Sequence, residues 1–213
     1  MDTEDNEVGK WDASHFASAV EEAREKAEAT AYVIVSARKL ADWESHRPGI
    51  ELIYYLTLVD YETKVLIHRL LESPNDRYVW EKYLALHLHE VLEQVPKAVS
   101  NAIREMDRPG TASKADPKLY KAASKQLGIN LRLIRRDTDF MKALRTIRNT
   151  VAAHHADSKN SSMESSIAWM LTSATQRDMG STPMTSQILE HAVHAAWCFQ
   201  DFAYAVVGVQ KAA

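Results

Sequence analysis

The sequence has few cysteines, which cross-link small secreted domains, and few glycines and prolines, which interrupt helices. Its single cysteine, Cys198, cannot form an internal disulfide. Six glycines and six prolines are few for 213 residues, and the prolines lie mainly between segments with helical spacing of apolar residues. No stretch reaches the roughly 18 consecutive apolar residues of a membrane span. These absences exclude a disulfide-stapled domain and predict long helices that do not enter a membrane.

Positive charge is scarce at the N-terminus, where a secretory signal would need it before an apolar run. Residues 1–30 contain nine acids and three bases. We therefore expect a cytoplasmic protein with a disordered acidic N-terminus over residues 1–11. The hydrophobic content of 46% is enough for one sizeable core, so residues 1–213 are expected to form a single helical domain.

Residues 114–148 reverse this charge balance. They contain ten bases and three acids, a net charge of +7. Such a segment can attract a polyanion such as RNA. On charge alone, a solvated helix face that the acidic N-terminus balances is the favoured interpretation, and binding of a polyanion is the alternative.

The spacing of apolar residues predicts an all-α protein, an up-and-down helical bundle of six or seven helices. A first helix is predicted from about residue 13 to residue 44, ending at the break His46-Arg47-Pro48-Gly49. The second covers residues 50–72. A third follows the break at residues 73–76 and runs to about Met106, and Pro96 inside it should kink or split it.

Helix-capping residues set the limits of the later helices. Asp116 predicts the start of a basic helix, and Gly128 predicts its end. The next helix is predicted to begin near Asp137 and to continue past residue 148. A capping box at residues 161–164 predicts another helix, and Thr182-Pro183 predicts the start of the last.

The late basic helix carries Arg148, Asn149, His154 and His155 within eight residues. At roughly 100° per residue, Arg148 and His155 are about 700° apart, which places them on the same side of an unbroken helix. A guanidinium beside an imidazole suits phosphodiester cleavage, because the first stabilises charge on phosphate and the second transfers a proton near neutral pH. This chemistry needs no metal and no other cofactor.

The segment Arg148-Asn149, three residues, then Ala153-His154 resembles the signature of the HEPN family. That signature is an arginine, a polar residue and a histidine after four to six intervening positions. The helix count and the late position of the motif are also similar to that family. The resemblance implies a HEPN-like fold and a metal-independent endoribonuclease acting on single-stranded RNA, in which the 2′-hydroxyl attacks the adjacent phosphate.

The resemblance also implies roles for individual residues. Arg148 would bind the scissile phosphate, Asn149 would orient it, and His154 would act as acid or base, with His155 as the longer-spaced alternative. Two motifs would face each other across a homodimer, and the protein would belong to a defence or toxin–antitoxin system with an antitoxin partner. The expected RNA contacts outside the motif are basic residues of the same segment: Arg135, Arg136, Lys142 and Arg145.

Two other functions are compatible with the sequence. In a non-catalytic helical module that binds RNA or protein, Arg148 would pair with Asp201 or Glu190, and His154 would be a core residue.

In a metal-binding bundle, histidines such as His87, His89, His191 and His194 would be ligands. Only the last two are one helical turn apart, so structural histidines are favoured. Cys198 has no basic neighbour and is expected to be an inert buried thiol.

Overall fold

The computed structural model describes residues 13–108, 113–148 and 183–208, and this part of the chain is helical with no strand. The α-helices are α1 (Ala13–Ala37), α2 (Trp43–Glu72), α3 (Arg77–Met106), α4 (Pro117–Arg136), α5 (Thr138–Thr146) and α6 (Pro183–Val207). The predicted all-α fold is confirmed. The predicted N-terminal tail and the helix predicted from residue 161 lie outside the described residues.

Four long helices form an up-down-up-down bundle. α2 packs on α3, α3 on α4, α4 on α6, and α6 on α2. The ring of Tyr120 meets that of Phe202, and further along α4 the backbone carbonyl of Asn130 lies 3.2 Å from His194 Nε2. Residue numbers rise along α4 as they fall along α6, so these two helices are antiparallel. α1 packs beside α2, and α5 packs against α3 and α4.

The core lies between these helices and consists of aliphatic and aromatic side chains at helical spacing. Its largest fully buried members are Phe140, Phe199, Leu56, Ile67, Leu70, Leu84, Leu88, Leu92, Leu131, Ile134, Leu144 and Ile188. Each such side chain contributes about 1.5–3 kcal/mol through removal from water, which makes packing the main stabilising term. No helix in the described ranges combines the length and apolar character needed to cross a membrane.

The predicted break at residues 46–49 is wrong. The chain turns over residues 38–42, and α2 runs through Pro48 and Gly49, which are both buried. A Cβ at position 49 would lie 3.0 Å from the Tyr120 hydroxyl and 3.3 Å from the Ala115 side chain. Gly49 therefore allows α4 to approach α2 closely instead of ending a helix.

The predicted helix end at Gly128 is also wrong, because α4 continues to Arg136. Leu131 and Ile134, beyond the glycine, are fully buried. Their burial outweighs the cost of a helical glycine, about 0.5–1 kcal/mol. The start of this helix is as predicted, since Asp116 Oδ1 accepts a hydrogen bond from the backbone N–H of Lys118 at 2.9 Å.

The third helix is continuous through Pro96 and is not split there. A proline at position 96 cannot donate the helical hydrogen bond to the carbonyl of Leu92. The guanidinium of Arg135, on α4, donates to that carbonyl instead. A contact between helices thus supplies the hydrogen-bond donor that the proline removes.

Candidate nucleic-acid interface

The candidate site lies on α5 and begins with a well-defined helix start. Asp137 Oδ1 accepts a hydrogen bond from the backbone N–H of Phe140 at 3.0 Å, as its N-cap position predicts. This bond, together with the one to His191, lowers the pKa of Asp137. Phe140 and Leu144 are buried against the bundle, so the opposite side of this short helix, with Lys142 and Arg145, is exposed.

Arg148 lies at the end of this segment and is exposed to solvent. The backbone at Ile147 and Arg148 forms a π-helical turn, and the Ile147 side chain is buried. Such turns are rare in proteins overall, but those that occur are often at functional sites. No carboxylate among the described residues forms an ion pair with Arg148, so the pairing with Asp201 or Glu190 is not observed there. No acid in the described part of the chain therefore competes with an anionic ligand for this guanidinium.

The structure does not test the rest of the motif. Asn149, His154 and His155 lie outside the described residues. The prediction that Arg148 and His155 lie on the same side assumes an unbroken α-helix. The motif instead begins on a π-helical turn. The placement of both histidines relative to Arg148 therefore stays a prediction.

The basic residues of segment 114–148 fall into two groups. Lys114 pairs with Asp42, Lys121 pairs with Asp107, and Arg135 donates to a backbone carbonyl. The others are exposed and form no ion pair with a described residue: Lys118, Lys125, Arg132, Arg136, Lys142, Arg145 and Arg148. We call these seven side chains the basic face. Of the expected RNA contacts, Arg136, Lys142 and Arg145 belong to it, whereas Arg135 has a structural bond.

Three of the four described acids near the N-terminus, Glu21, Glu22 and Glu28, pair within α1 and not with the basic face. On α1, Arg24 pairs with Glu21 and Glu28, and Lys26 Nζ lies 2.6 Å from Glu22 Oε1. These acids are neutralised within their own helix. The basic face therefore keeps its positive charge in the part of the chain that the structure describes.

A buried histidine of α3 lies near the end of α5. His89 is 2% exposed, and its Nδ1 has no hydrogen-bond partner among the described residues. Burial lowers the pKa of His89, Glu93 opposes this effect, and the charges of Arg148 and Arg145 lower the pKa further. The two guanidiniums thus disfavour protonation of His89 on α3.

The other histidines considered as metal ligands connect helices. His87 bonds to α2, His191 lies 3.3 Å from Asp137 Oδ2, and His194 lies 3.2 Å from the carbonyl of Asn130. Within the described ranges, no group of three or more histidines, cysteines or acids is arranged to hold a metal ion. Each of these imidazoles has a structural role in the bundle.

Sequence reasoning missed several buried charged side chains. Asp60 and Lys64 of α2 form an ion pair at 2.7 Å, and Glu81 of α3 is 1% exposed. The spacing of Asp60 and Lys64, four residues apart, was the only available signal for that pair, and it is usually found on exposed helix faces. Burial of such groups depends on contacts with other helices.

Comparison of the chain with protein-family models, with curated proteins and with solved structures gave no match.

Proposed function

We propose that this protein is a metal-independent endoribonuclease of the HEPN type, acting on single-stranded RNA. The observation that carries the proposal is Arg148, an exposed guanidinium on a π-helical turn with no acidic partner among the described residues. A structural arginine would bond to a carboxylate or to the backbone, as Arg135 does. An arginine that has no acidic partner in the described ranges, at the first position of a cleavage motif, is suited to bind phosphate.

The proposed reaction is an internal transfer at phosphorus. The 2′-oxygen of a ribose forms a bond to the adjacent phosphorus, and the bond to the 5′-oxygen of the next nucleotide breaks. The products carry a 2′,3′-cyclic phosphate and a 5′-hydroxyl. Arg148 stabilises charge on the non-bridging oxygens. His154 or His155 removes the proton of the 2′-hydroxyl or protonates the leaving oxygen, and Asn149 orients the phosphate.

The basic face supports the binding of a substrate longer than one phosphate. Lys142 and Arg145 precede Arg148 on the exposed side of α5, and Arg136 ends α4. Each contact between such a cation and a backbone phosphate releases bound counterions, which strengthens binding at low salt. A homodimer in which two motifs converge would supply a second histidine, so that one acts as base and one as acid.

A fluorescence-quenched single-stranded RNA in the presence of EDTA tests the activity. We expect the wild type to cleave it and Arg148→Ala to be at least 100-fold slower, the size of effect typical for a lost transition-state contact. Arg24→Ala, the matched control, removes one arginine from α1, outside the basic face, and should cleave normally. His154→Ala and His155→Ala identify the histidine that transfers the proton.

Two results would contradict the nuclease proposal. If Arg148→Ala and both histidine variants cleave at the wild-type rate, the activity belongs to another site or to a contaminant. If an all-deoxy version of the same oligonucleotide is cut equally fast, the 2′-hydroxyl is not the nucleophile.

A second candidate function is a non-catalytic RNA-binding module, which the length of the basic face along α4 and α5 favours. It predicts intact RNA and binding that weakens steeply with salt. A toxin–antitoxin or defence role can be tested by expression in cells. Growth arrest by the wild type but not by Arg148→Ala supports a nuclease that an antitoxin restrains.

A further inference from the structure

The outward side of α4 carries a second stripe of mainly apolar residues, separate from the one that packs on the bundle. The packed stripe is buried and consists of Tyr120, Ala123, Leu127, Leu131 and Ile134. The second stripe, which we call the outer stripe, is exposed and consists of Leu119, Ala122, Gln126, Ile129 and Leu133. Leu119 is 40% exposed, Ile129 44% and Leu133 63%. At about 100° per residue, the five positions fall within about 80° of the helix surface.

The outer stripe has the spacing of a coiled-coil seam. Heptad repeats place apolar residues at positions a and d, where a partner helix buries them. In this register Leu119, Gln126 and Leu133 occupy a positions. The d positions are Ala122 and Ile129. The seam therefore lies on the surface of α4 in the form that a second helix covers.

The charges beside the outer stripe identify the chemistry of that helix. Lys118, Lys125 and Arg132 each precede an a position by one residue and so occupy g positions. Coiled coils place at e and g the charges that select the partner. All three side chains belong to the basic face and form no ion pair with a described residue. A row of positive charge along one edge of the seam favours a partner with acids along the matching edge.

A second copy of α4 does not supply those acids. In an antiparallel pair of identical helices, g positions face each other, so the row of bases would meet its own like charges. In a parallel pair, g positions face e positions, which on α4 are Ala123 and Asn130. Neither arrangement neutralises the row.

RNA and a membrane surface also fit less well than an acidic helix. RNA accounts for the bases but not for the exposed leucines. An anionic membrane would meet acids on the neighbouring helix, where His194 Nε2 lies 3.2 Å from the carbonyl oxygen of Asn130, beside the outer stripe. Glu190 and Asp201 are exposed one and two turns from His194, on the same side of α6.

We propose that the outer stripe is a docking site for an acidic amphipathic helix of another protein. The partner helix has apolar residues at heptad spacing, and its carboxylates face Lys118, Lys125 and Arg132. The apolar contacts hold the partner, and the bases select it. The proposal does not depend on the nuclease activity, although the bound helix would cover the part of the basic face that lies on α4.

Two synthetic peptides of three heptads test the proposal. Both have leucine at positions a and d. One has glutamate at every e and g position, and the other has lysine there, so like charges oppose self-association of either peptide. We expect fluorescence anisotropy to show that the glutamate peptide binds the wild-type protein more tightly by about tenfold or more at low salt, because three charge pairs change sign.

Variants at exposed positions locate the binding without disturbing the core. Leu133→Gln should weaken binding of the glutamate peptide by about tenfold or more, since it removes a side chain that the partner buries. Val35→Gln is the matched control, because Val35 is 58% exposed on α1, and it should bind as the wild type. Joint reversal of charge in Lys125→Glu with Arg132→Glu should transfer the preference to the lysine peptide.

The same variant separates this site from the proposed RNA contacts. Leu133→Gln keeps every base, so it should bind single-stranded RNA as the wild type does. Loss of nuclease activity in Arg148→Ala with unchanged peptide binding is expected, because Arg148 lies outside the outer stripe. Absence of any nuclease activity in the wild type would contradict the proposed function and leave the peptide result standing.

Four results with folded protein, checked by circular dichroism, would overturn the docking proposal. The first is a glutamate peptide that does not bind more tightly than the lysine peptide. The second is unchanged binding of the glutamate peptide by Leu133→Gln. The third is a wild-type dimer that Leu133→Gln converts to monomers in sedimentation, which would assign the outer stripe to a second copy. The fourth is binding of anionic phospholipid vesicles by the wild type but not by Leu133→Gln, which would assign it to a membrane.

Discussion

The guanidinium of Arg135 donates a hydrogen bond to the backbone carbonyl of Leu92 on the neighbouring helix. Within a regular helix this carbonyl would accept from residue 96, where Pro96 has no N–H to give. The arginine therefore satisfies a carbonyl that the proline leaves without its helical donor. It explains how α3 remains continuous, and it gives Arg135 a structural role where the sequence suggested RNA binding.

This relationship predicts that Arg135 and Pro96 are energetically coupled. Arg135→Ala should lower the free energy of unfolding by about 1–2 kcal/mol, because the Leu92 carbonyl loses its donor. In a Pro96→Ala background the backbone N–H of residue 96 replaces it, and the same change should cost much less. Urea denaturation of the four proteins in this double-mutant cycle measures the coupling.

Arg136→Ala is the matched control for that cycle. Arg136 is exposed and has no ion pair with a described residue, so its loss should change stability by less than about 0.5 kcal/mol in both backgrounds. Equal costs of Arg135→Ala in the two backgrounds would contradict the coupling.

The two helical glycines predict opposite effects of alanine. At Gly128, which is exposed, a Cβ would have nothing within 4 Å, so Gly128→Ala should stabilise the protein by about 0.5–1 kcal/mol. At Gly49, a Cβ would lie 3.0 Å from the Tyr120 hydroxyl, and Gly49→Ala should destabilise it. Thermal unfolding compares the pair. Stabilisation by both variants would show that α4 does not approach α2 as described.

These particulars show why some features followed from the sequence and others did not. Asp116 and Asp137 cap helices through bonds to backbone two or three residues away, so local sequence was sufficient to predict them. Gly49 and Pro96 depend on Tyr120 and Arg135, which are distant in the chain. Glycine and proline are ordinary helix breakers, and only the packing of α4 shows that here they are not.

The candidate site shows the same limit. The charge count identified the segment that carries the basic face, but it could not separate Arg135, which bonds to a carbonyl, from Arg136, which does not. Burial of Asp60 needed Gln200 from the last helix. Neither a local pattern nor composition contains such information, because both contacts join helices far apart in sequence.

His89 predicts a pH dependence of stability. Its pKa in the folded protein is below the ordinary value of 6.5, so the unfolded chain binds the proton more readily. The neutral imidazole makes its full contribution to the free energy of unfolding above about pH 6.5. This contribution decreases as the pH falls toward the folded-state pKa. NMR titration of the imidazole measures this pKa directly. Arg148→Ala should raise it, because one of the charges that disfavour protonation is removed.

Arg132→Ala serves as the control for this titration, since Arg132 is an exposed arginine of α4 that does not contribute to the His89 shift. It should leave the pKa of His89 unchanged. If Arg148→Ala also leaves it unchanged, Arg148 does not lie near α3 in solution.

The basic face predicts the salt dependence of RNA binding. Each phosphate contact to single-stranded RNA contributes about 0.7 to the slope of log affinity against log salt. Arg145→Ala and Lys142→Ala should each weaken binding of an uncleavable RNA and reduce the slope by about this amount. Arg24→Ala, a loss of charge on α1 among acidic partners, should change neither quantity. An unchanged slope in both α5 variants would place the RNA elsewhere.

The burial of Cys198 predicts that the labelling rate of its thiol reports on global unfolding. It is 3% exposed, and burial, together with the charge of Asp201, raises its pKa to about 11. At pH 8 almost none of it is the reactive thiolate, and reagent cannot reach it, so labelling by a disulfide reagent should follow the rate of unfolding.

A matched control moves the thiol by one position, with Trp197→Cys in a Cys198→Ala background. Residue 197 is 55% exposed, so this thiol should react at once. Equally fast labelling of the native Cys198 would mean that α6 separates from the bundle without global unfolding.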